Sequence, residues 1–244
     1  MPFLREGISL NLIDIHCHFL PGIDDGAADS DVSIEMLSDS VSQGVEVVAA
    51  TPHYYGKKRT IDDFIKLREE AFLNLCERAL QKKVKLPKIL LGAEVALTRG
   101  ISARENLDLL CIQDSNLILL ELPFEPWGEW VYNEVERVIS DWQMTVILAH
   151  PERYVRMPWD MKRLKPFFDM GAVLQINAET VVEEKGRTKR FLKSGCPCVL
   201  GSDAHNMYNR KSQLGAAAKR LAELYGESLL EQINEVYDII GLNY

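Results

Sequence analysis

The sequence predicts an α/β fold of seven strand–helix units with parallel strands, arranged as a closed or nearly closed barrel or as an open doubly wound sheet. Three observations predict it. Short apolar runs alternate with longer helical patterns along the chain, glycines punctuate the returns from helix to strand, and polar residues gather where the apolar runs end. At 244 residues and 47% hydrophobic, the chain can bury a substantial core, and one domain spanning 1–244 is expected, an ordinary length for a single α/β barrel.

The apolar runs fall at 10–15, 45–50, 88–95, 116–122, 145–149, 172–176 and 197–200, lengths suited to buried parallel strands. Helical patterns occupy 33–43, 61–80, 129–142, 160–170, 183–193, 211–225 and 228–240. The clearest is 61–80, where Ile61, Phe64, Ile65, Phe72, Leu75, Cys76 and Ala79 recur on one face and Thr60 stands at the N-cap. Gly44, Gly171 and Gly195 each follow a helical stretch and precede a strand, the place for a left-handed C-cap.

A net charge of −8 leaves no basic stripe for a phosphate backbone, which argues against extended nucleic-acid binding. A small anion can still bind where metal ions or arginines reverse the local sign. Residues 1–9 lack a secretory apolar core, and no apolar stretch approaches the roughly 18 residues of a membrane span. A cytoplasmic protein without membrane insertion is expected. Five cysteines without disulfide spacing should be reduced thiols, and Cys196 and Cys198 read as the start of a buried strand rather than a redox or metal pair.

All five histidines fall in polar clusters that close an apolar run: Asp14-Ile15-His16-Cys17-His18, Thr51-Pro52-His53, Ala149-His150-Pro151-Glu152-Arg153 and Ser202-Asp203-Ala204-His205. Glu94, Glu121, and Asn177 with Glu179 take the remaining strand ends. In an α/β barrel those ends share one mouth, which carries the active site. His16 and His18 lie two apart, so an extended strand puts both imidazoles on one face and Cys17 on the other. Asp203 and His205 repeat that spacing. Glu94 and Glu121 end runs that otherwise read as buried, where a carboxylate needs a metal or an arginine beside it. Asp25 follows Pro21-Gly22 in a stretch where aspartate and glycine also serve local turn geometry.

His16, His18, Asp25, His53, Glu94, Glu121, His150, Asp203 and His205 thus offer more donors than one ion needs, which suggests two or three. Nitrogen and oxygen donors suit manganese, iron or zinc. Arg153 and Arg210 follow His150 and His205 closely enough to reach the same opening, and guanidinium forks match phosphate oxygens. The plain alternative is that each arginine pairs with a nearby acid such as Glu152. Three divalent ions against four carboxylates would leave the site at about +2 before the arginines are counted, so an acidic protein can hold a phosphate dianion there. Tyr54, Tyr55, Phe124, Trp127 and Trp130 follow strand ends and could line the entrance.

The ordered motifs D-I-H-C-H-F-L-P-G-I-D-D-G, T-P-H, G-A-E, L-E-L-P-F, A-H-P-E-R-Y and G-S-D-A-H-N resemble the polymerase and histidinol phosphatase (PHP) family. More closely, they look like its bacterial CpsB/CapC-type branch, the manganese-dependent tyrosine-protein phosphatases of capsule and exopolysaccharide synthesis. The resemblance runs from about Ile13 to the C-terminal helices. It implies a distorted (β/α)7 barrel with a trinuclear centre. By motif, one ion would be held by His16, His18, Glu94 and Asp203, a second by Glu94, Glu121 and His150, and a third by Asp25, His53 and His205. The resemblance also implies that Arg153 and Arg210 bind the substrate phosphate and that the partner is the phosphotyrosine tail of a cognate bacterial tyrosine kinase.

The chemistry expected is metal-assisted hydrolysis of a phosphate monoester without a phosphoenzyme. A cysteine-phosphatase mechanism needs C-x5-R, yet the residues six beyond the five cysteines are Ile23, Lys82, Leu117, Ser202 and Ala204. Rival readings are a histidinol-phosphate phosphatase, an amidohydrolase or TatD-type nuclease, which does not call for His53 and His205, and a metal-stabilised regulator that binds the kinase without turnover.

Overall fold

The apolar runs pair in parallel, and the computed structural model describes residues 12–124 and 126–242. In chain order the elements are β1 (Leu12–Cys17), α1 (Ser30–Ser42), β2 (Val45–Ala50), β3 (His53–Tyr54), α2 (Ile61–Lys82), β4 (Lys88–Leu91), β5 (Glu94–Ala96) and β6 (Leu117–Glu121). There follow α3 (Glu129–Trp142), β7 (Thr145–Ala149), α4 (Lys165–Asp169), β8 (Val173–Asn177), α5 (Ala178–Glu183), α6 (Lys185–Leu192), β9 (Cys198–Gly201), α7 (Leu214–Tyr225) and α8 (Glu227–Ile239). Residues 10 and 11 of the first expected run lie outside the described residues.

The run 88–95 is broken, and the run 45–50 is followed by a separate short strand beyond its end, which produces two sheets, β1-β2-β4 and β3-β5-β6-β7-β8-β9. Pro52 has no N–H to give a ladder, so β2 stops before it and the chain resumes as β3. Gly92 and Ala93 separate β4 from β5. Pairing is carried across both jogs by Gly92 N–H to Ala50 O at 2.8 Å and Glu94 N–H to Pro52 O at 3.1 Å. The ring then closes between the last strand and the first. Asp203 N–H donates to His16 O at 2.7 Å, His18 N–H donates to Ala204 O at 2.9 Å, and Cys17 bridges Ala204. The fold is therefore the distorted (β/α)7 barrel, and the open doubly wound sheet is not formed.

Strands β6, β8 and β9 are buried along their whole lengths, as expected where helices cover the outside and opposing side chains fill the inside. Thr60 caps α2 by accepting the Asp63 N–H, and Asp29 caps α1 through the N–H groups of Asp31 and Val32. Gly44, Gly171 and Gly195 take φ of +88°, +86° and +77°, the left-handed turns expected of them.

Other expectations are corrected. The third unit carries only a 3-10 turn, Leu107–Leu110, and the helix expected at 160–170 is a 3-10 turn, Pro158–Arg163, followed by the short α4. The helix expected at 183–193 is preceded by α5, which begins directly after β8. Glu179, placed at a strand end by the sequence, is therefore exposed on a helix. No helix among the described residues is long and apolar enough to cross a membrane.

Candidate metal centre

Alternation along β1 turns His16 and His18 to the same side, with their Nε2 atoms 3.1 Å apart and both residues fully buried. Their outer nitrogens are each fixed by an acceptor. His16 Nδ1 lies 2.8 Å from Gln175 Oε1, and that same oxygen accepts the His150 N–H at 3.0 Å. An atom that accepts from a backbone N–H is the amide oxygen, so His16 carries its proton on Nδ1 and directs the Nε2 lone pair into the mouth. His18 Nδ1 lies 2.7 Å from Asp24 Oδ2, which also accepts the His53 N–H at 2.9 Å. His205 Nδ1 meets Asp203 O at 2.9 Å, leaving its Nε2 buried without a partner. Close approach matters at Gly26, where an added Cβ would stand 1.9 Å from His18 O.

Glu94 enters from β5 beneath these rings. Its Oε2 is 3.2 Å from His16 Nε2, 3.2 Å from His18 Nε2 and 2.9 Å from His53 Nδ1. Neither that oxygen nor His53 Nδ1 is aligned for a hydrogen bond, despite the short distances. Donors that crowd together yet do not point at one another suit a shared cation between them. Glu94 Oε1 lies 2.8 Å from His150 Nε2, and Glu121 Oε1 lies 3.7 Å from the same nitrogen. Asp25 Oδ1 is 3.5 Å from both His53 Nε2 and His205 Nε2.

Three overlapping groups have donor atoms all within 4.8 Å of one another: His18, Asp25, His53 and His205; His16, His18 and Glu94; and His53, Glu94 and Glu121. Each could hold an ion. Asp203 stands beside the second group, its Oδ1 3.6 Å from both His16 and His18 Nε2. All nine donors expected from the sequence thus meet at one mouth.

Both arginines reach it as well, but their partner is not Glu152. Arg153 donates to Asp203 Oδ2, while Arg210 donates to Asp203 Oδ1 at 3.1 Å and lies 3.6 Å from Asp25 Oδ2. Glu152 instead accepts the Asn177 N–H at 2.8 Å and the Thr180 hydroxyl at 3.2 Å.

The electrostatics are those of a site that attracts positive charge. Burial opposes a charged His18, but Asp24 and Glu94 hold its pKa up at about 10. Asp24 is likewise opposed by burial and held down at about 2 by His18. Burial and the neighbouring Glu94 push Glu121 up to about 7, whereas burial and the charge of His18 push His205 down to about 4. Two of the strand-end residues, His150 and Asp203, are non-glycine residues in left-handed conformation, with φ of 33° and 51°. Each pins its own N–H, to Gln175 Oε1 and to His16 O.

Of the aromatic residues expected at the entrance, Tyr54 is buried edge-on against Phe64, and Trp127 packs among Tyr132, Tyr154 and Phe167. Trp130 is covered by Arg99. Tyr55 and Phe124 remain accessible, Phe124 at 70%. Cys17 faces away from the donors, its S–H directed at Ala204 O, and burial raises its thiol well above the ordinary range. All five cysteines are free thiols. Gln175 and Asp24 were missing from the sequence-derived set. A glutamine inside an apolar run was the available signal for the first, and the doubled aspartate hid the second.

Residues 12–236 match the family described as capsular polysaccharide synthesis, CpsB/CapC. The tyrosine-protein phosphatase YwqE of Bacillus subtilis is 29% identical, with 95% of this chain and 92% of that protein covered. The tyrosine-protein phosphatase CpsB of Streptococcus pneumoniae is 27% identical, with 91% and 94% covered. Crystal structures of YwqE and CpsB are described as those of unique metal-dependent tyrosine phosphatases, and this chain superposes on that work with a TM-score of 0.81, at 26% identity over 94% of each chain. A match across almost the whole described chain, on a barrel that gathers the same motif residues at one mouth, establishes that the protein belongs to the CpsB/CapC family.

Proposed function

We propose that the protein is a metal-dependent phosphomonoesterase, a protein-tyrosine phosphatase acting on a cognate bacterial tyrosine kinase in capsule or exopolysaccharide synthesis, in the cytoplasm. The observation that carries this reading is the set of three overlapping donor groups flanked by two arginines. The orphaned Glu94 Oε2, His53 Nδ1 and His205 Nε2 fit bound cations, and the hard nitrogen and oxygen donors fit manganese, with iron or zinc as substitutes. By motif, His16, His18, Glu94 and Asp203 would hold one ion, Glu94, Glu121 and His150 a second, and Asp25, His53 and His205 a third, whereas the donor groups place His53 with Glu94 and Glu121, with His150 Nε2 2.8 Å from Glu94 Oε1, and add His18 to the third set. Such ions supply Lewis acidity toward phosphoryl oxygens and make a water nucleophilic at neutral pH.

The protein's own groups do the rest. Among the described residues the guanidinium groups of Arg153 and Arg210 pair with Asp203 and Asp25 alone, so with those carboxylates engaged elsewhere their forks would be free to meet phosphate oxygens. Gln175, Asp24 and the Asp203 carbonyl keep the histidine protons on Nδ1, away from the reacting phosphoryl group. Water oxygen bonds to phosphorus as the P–O bond to the tyrosyl oxygen breaks, and of the two water protons one stays on the phosphate released and the other ends on the tyrosyl oxygen. A phenol of pKa about 10 leaves readily enough that no strong proton donor is required. Cys17 takes no part, being buried and directed at a backbone carbonyl.

The test is purified protein with manganese offered a phosphotyrosine peptide, a phosphoserine peptide, histidinol phosphate and single-stranded DNA. Phosphotyrosine turnover is expected to dominate, and histidinol phosphate cleaved far faster would overturn the tyrosine-phosphatase reading. His150→Ala and Asp203→Ala should each abolish turnover and lower metal content. Arg153→Ala should retain metal and lose roughly 100-fold in kcat/KM, the scale of one lost transition-state contact.

A further inference from the structure

Beside the donor groups lies a cavity of about 280 Å³ whose wall combines Ile23, Asp24, Asp25 and His53 with Tyr55, Lys58 and Arg59; of the two acids, Asp24 is already engaged by His18 and the His53 N–H. Its outer wall is basic in a protein whose net charge is −8. Lys58 is exposed and Arg59 half-buried, and neither makes an ion pair with a carboxylate among the described residues. Lys58 Nζ instead sits 4.4 Å over the centre of the Tyr55 ring, which itself leans on His53 at 5.2 Å.

The loop that carries these side chains is held in place. Lys58 N–H donates to Tyr55 O at 2.8 Å, Arg104 reaches in to Gly56 O at 2.8 Å, and Tyr54 hydroxyl donates to Arg59 O at 3.4 Å. Directly after it Thr60 caps α2. The backbone that carries these two cations, neither paired with a carboxylate among the described residues, is therefore held beside Asp24, Asp25 and His53.

We propose that this cavity is a specificity subsite for an acidic side chain of the substrate peptide next to the phosphotyrosine, with Lys58 and Arg59 as its recognition residues. The proposal rests on the phosphatase reading above. A phosphate placed at the donor groups leaves the neighbouring peptide side chains at the cavity, where the ring of Tyr55 gives an apolar wall and the two cations give the counter-charge.

The experiment compares manganese-loaded wild type, Lys58→Ala, Arg59→Ala and the double variant on three phosphotyrosine peptides, flanked by glutamate, alanine or lysine, and on p-nitrophenyl phosphate. Binding of non-hydrolysable phosphonate versions of the peptides is followed by fluorescence anisotropy. Wild type is expected to prefer the glutamate-flanked peptide. Each single variant should lose about threefold to fivefold on that peptide, in kcat/KM and in affinity, the scale of one partly exposed ion pair. p-Nitrophenyl phosphate should be unaffected, and the preference should shrink with added salt.

Equal turnover of the three peptides by wild type would overturn the subsite while leaving the phosphatase intact. An equal loss on p-nitrophenyl phosphate would assign the cavity to the aryl group and also overturn it. Cleavage of no phosphotyrosine peptide at all would instead defeat the phosphatase reading.

Discussion

Gln175 and Asp24 stand behind the donor set, each at the outer nitrogen of a histidine whose inner nitrogen faces the mouth. Each holds an imidazole proton on the outer nitrogen, so each should be felt first in metal affinity. Gln175→Ala is expected to weaken manganese binding roughly 10- to 100-fold by calorimetry, while the circular dichroism of the chelated protein stays that of wild type. Unaltered affinity would show that His16 needs no orienting partner. Glu152 has a different effect. Burial raises its carboxyl from 4.5 to about 7, against the hydrogen bonds from Asn177 and Thr180. Between those two values the folded protein keeps a proton that the unfolded chain has released, so stability falls as pH rises through that window. Glu152→Gln keeps an acceptor oxygen and cannot ionise. Urea denaturation of the chelated proteins should show the variant gaining up to about 3 kcal/mol over wild type between pH 4.5 and pH 8. Parallel pH curves for the two would refute it. The nine donors were legible because histidine and acid at strand ends have few structural uses, whereas Gln175 was not, because glutamine is an uncommon ligand and its role lies in a contact 159 residues away in sequence.

The strands were legible as apolar runs, but their continuity was not. Runs 45–50 and 88–95 read as whole units, and only the partners across the ring reveal that the chain changes sheets at Pro52 and at Gly92. Helix α5 was missed because six residues make too little periodicity to recognise. What the elements need in order to meet is small residues at their crossings. At Gly201, the end of β9, an added Cβ would stand 2.7 Å from both His16 Cβ and Gln175 Nε2. Gly201→Ala must therefore push β1 or β8 aside, and is expected to cost about 1–3 kcal/mol in denaturant unfolding and to lower manganese affinity in the same protein. A stable variant with full affinity would show that the wall yields more easily than its packing suggests.

At the scale of the molecule, donors from six strands or the loops that follow them converge on one mouth, so a cation held among them ties those strands together. Chelation should therefore loosen the whole barrel and not only its mouth. Thermal unfolding in excess manganese is expected to lie several degrees above that in EDTA, since a ligand at about 100 times its Kd contributes about 2.7 kcal/mol. An unchanged Tm would mean that the site binds too weakly to be resident. The sequence pointed to this assembly through its order of motifs, but closure itself depended on hydrogen bonds between residues nearly two hundred positions apart. Because His16 and His18 leave the ribosome early while Asp203 and His205 are almost the last part of the barrel to emerge, no growing chain possesses the complete cage. The groups His16, His18, Glu94 and His53, Glu94, Glu121 are made well before the group that includes His205, so the proposed centre would be completed only when the last strand closes the ring.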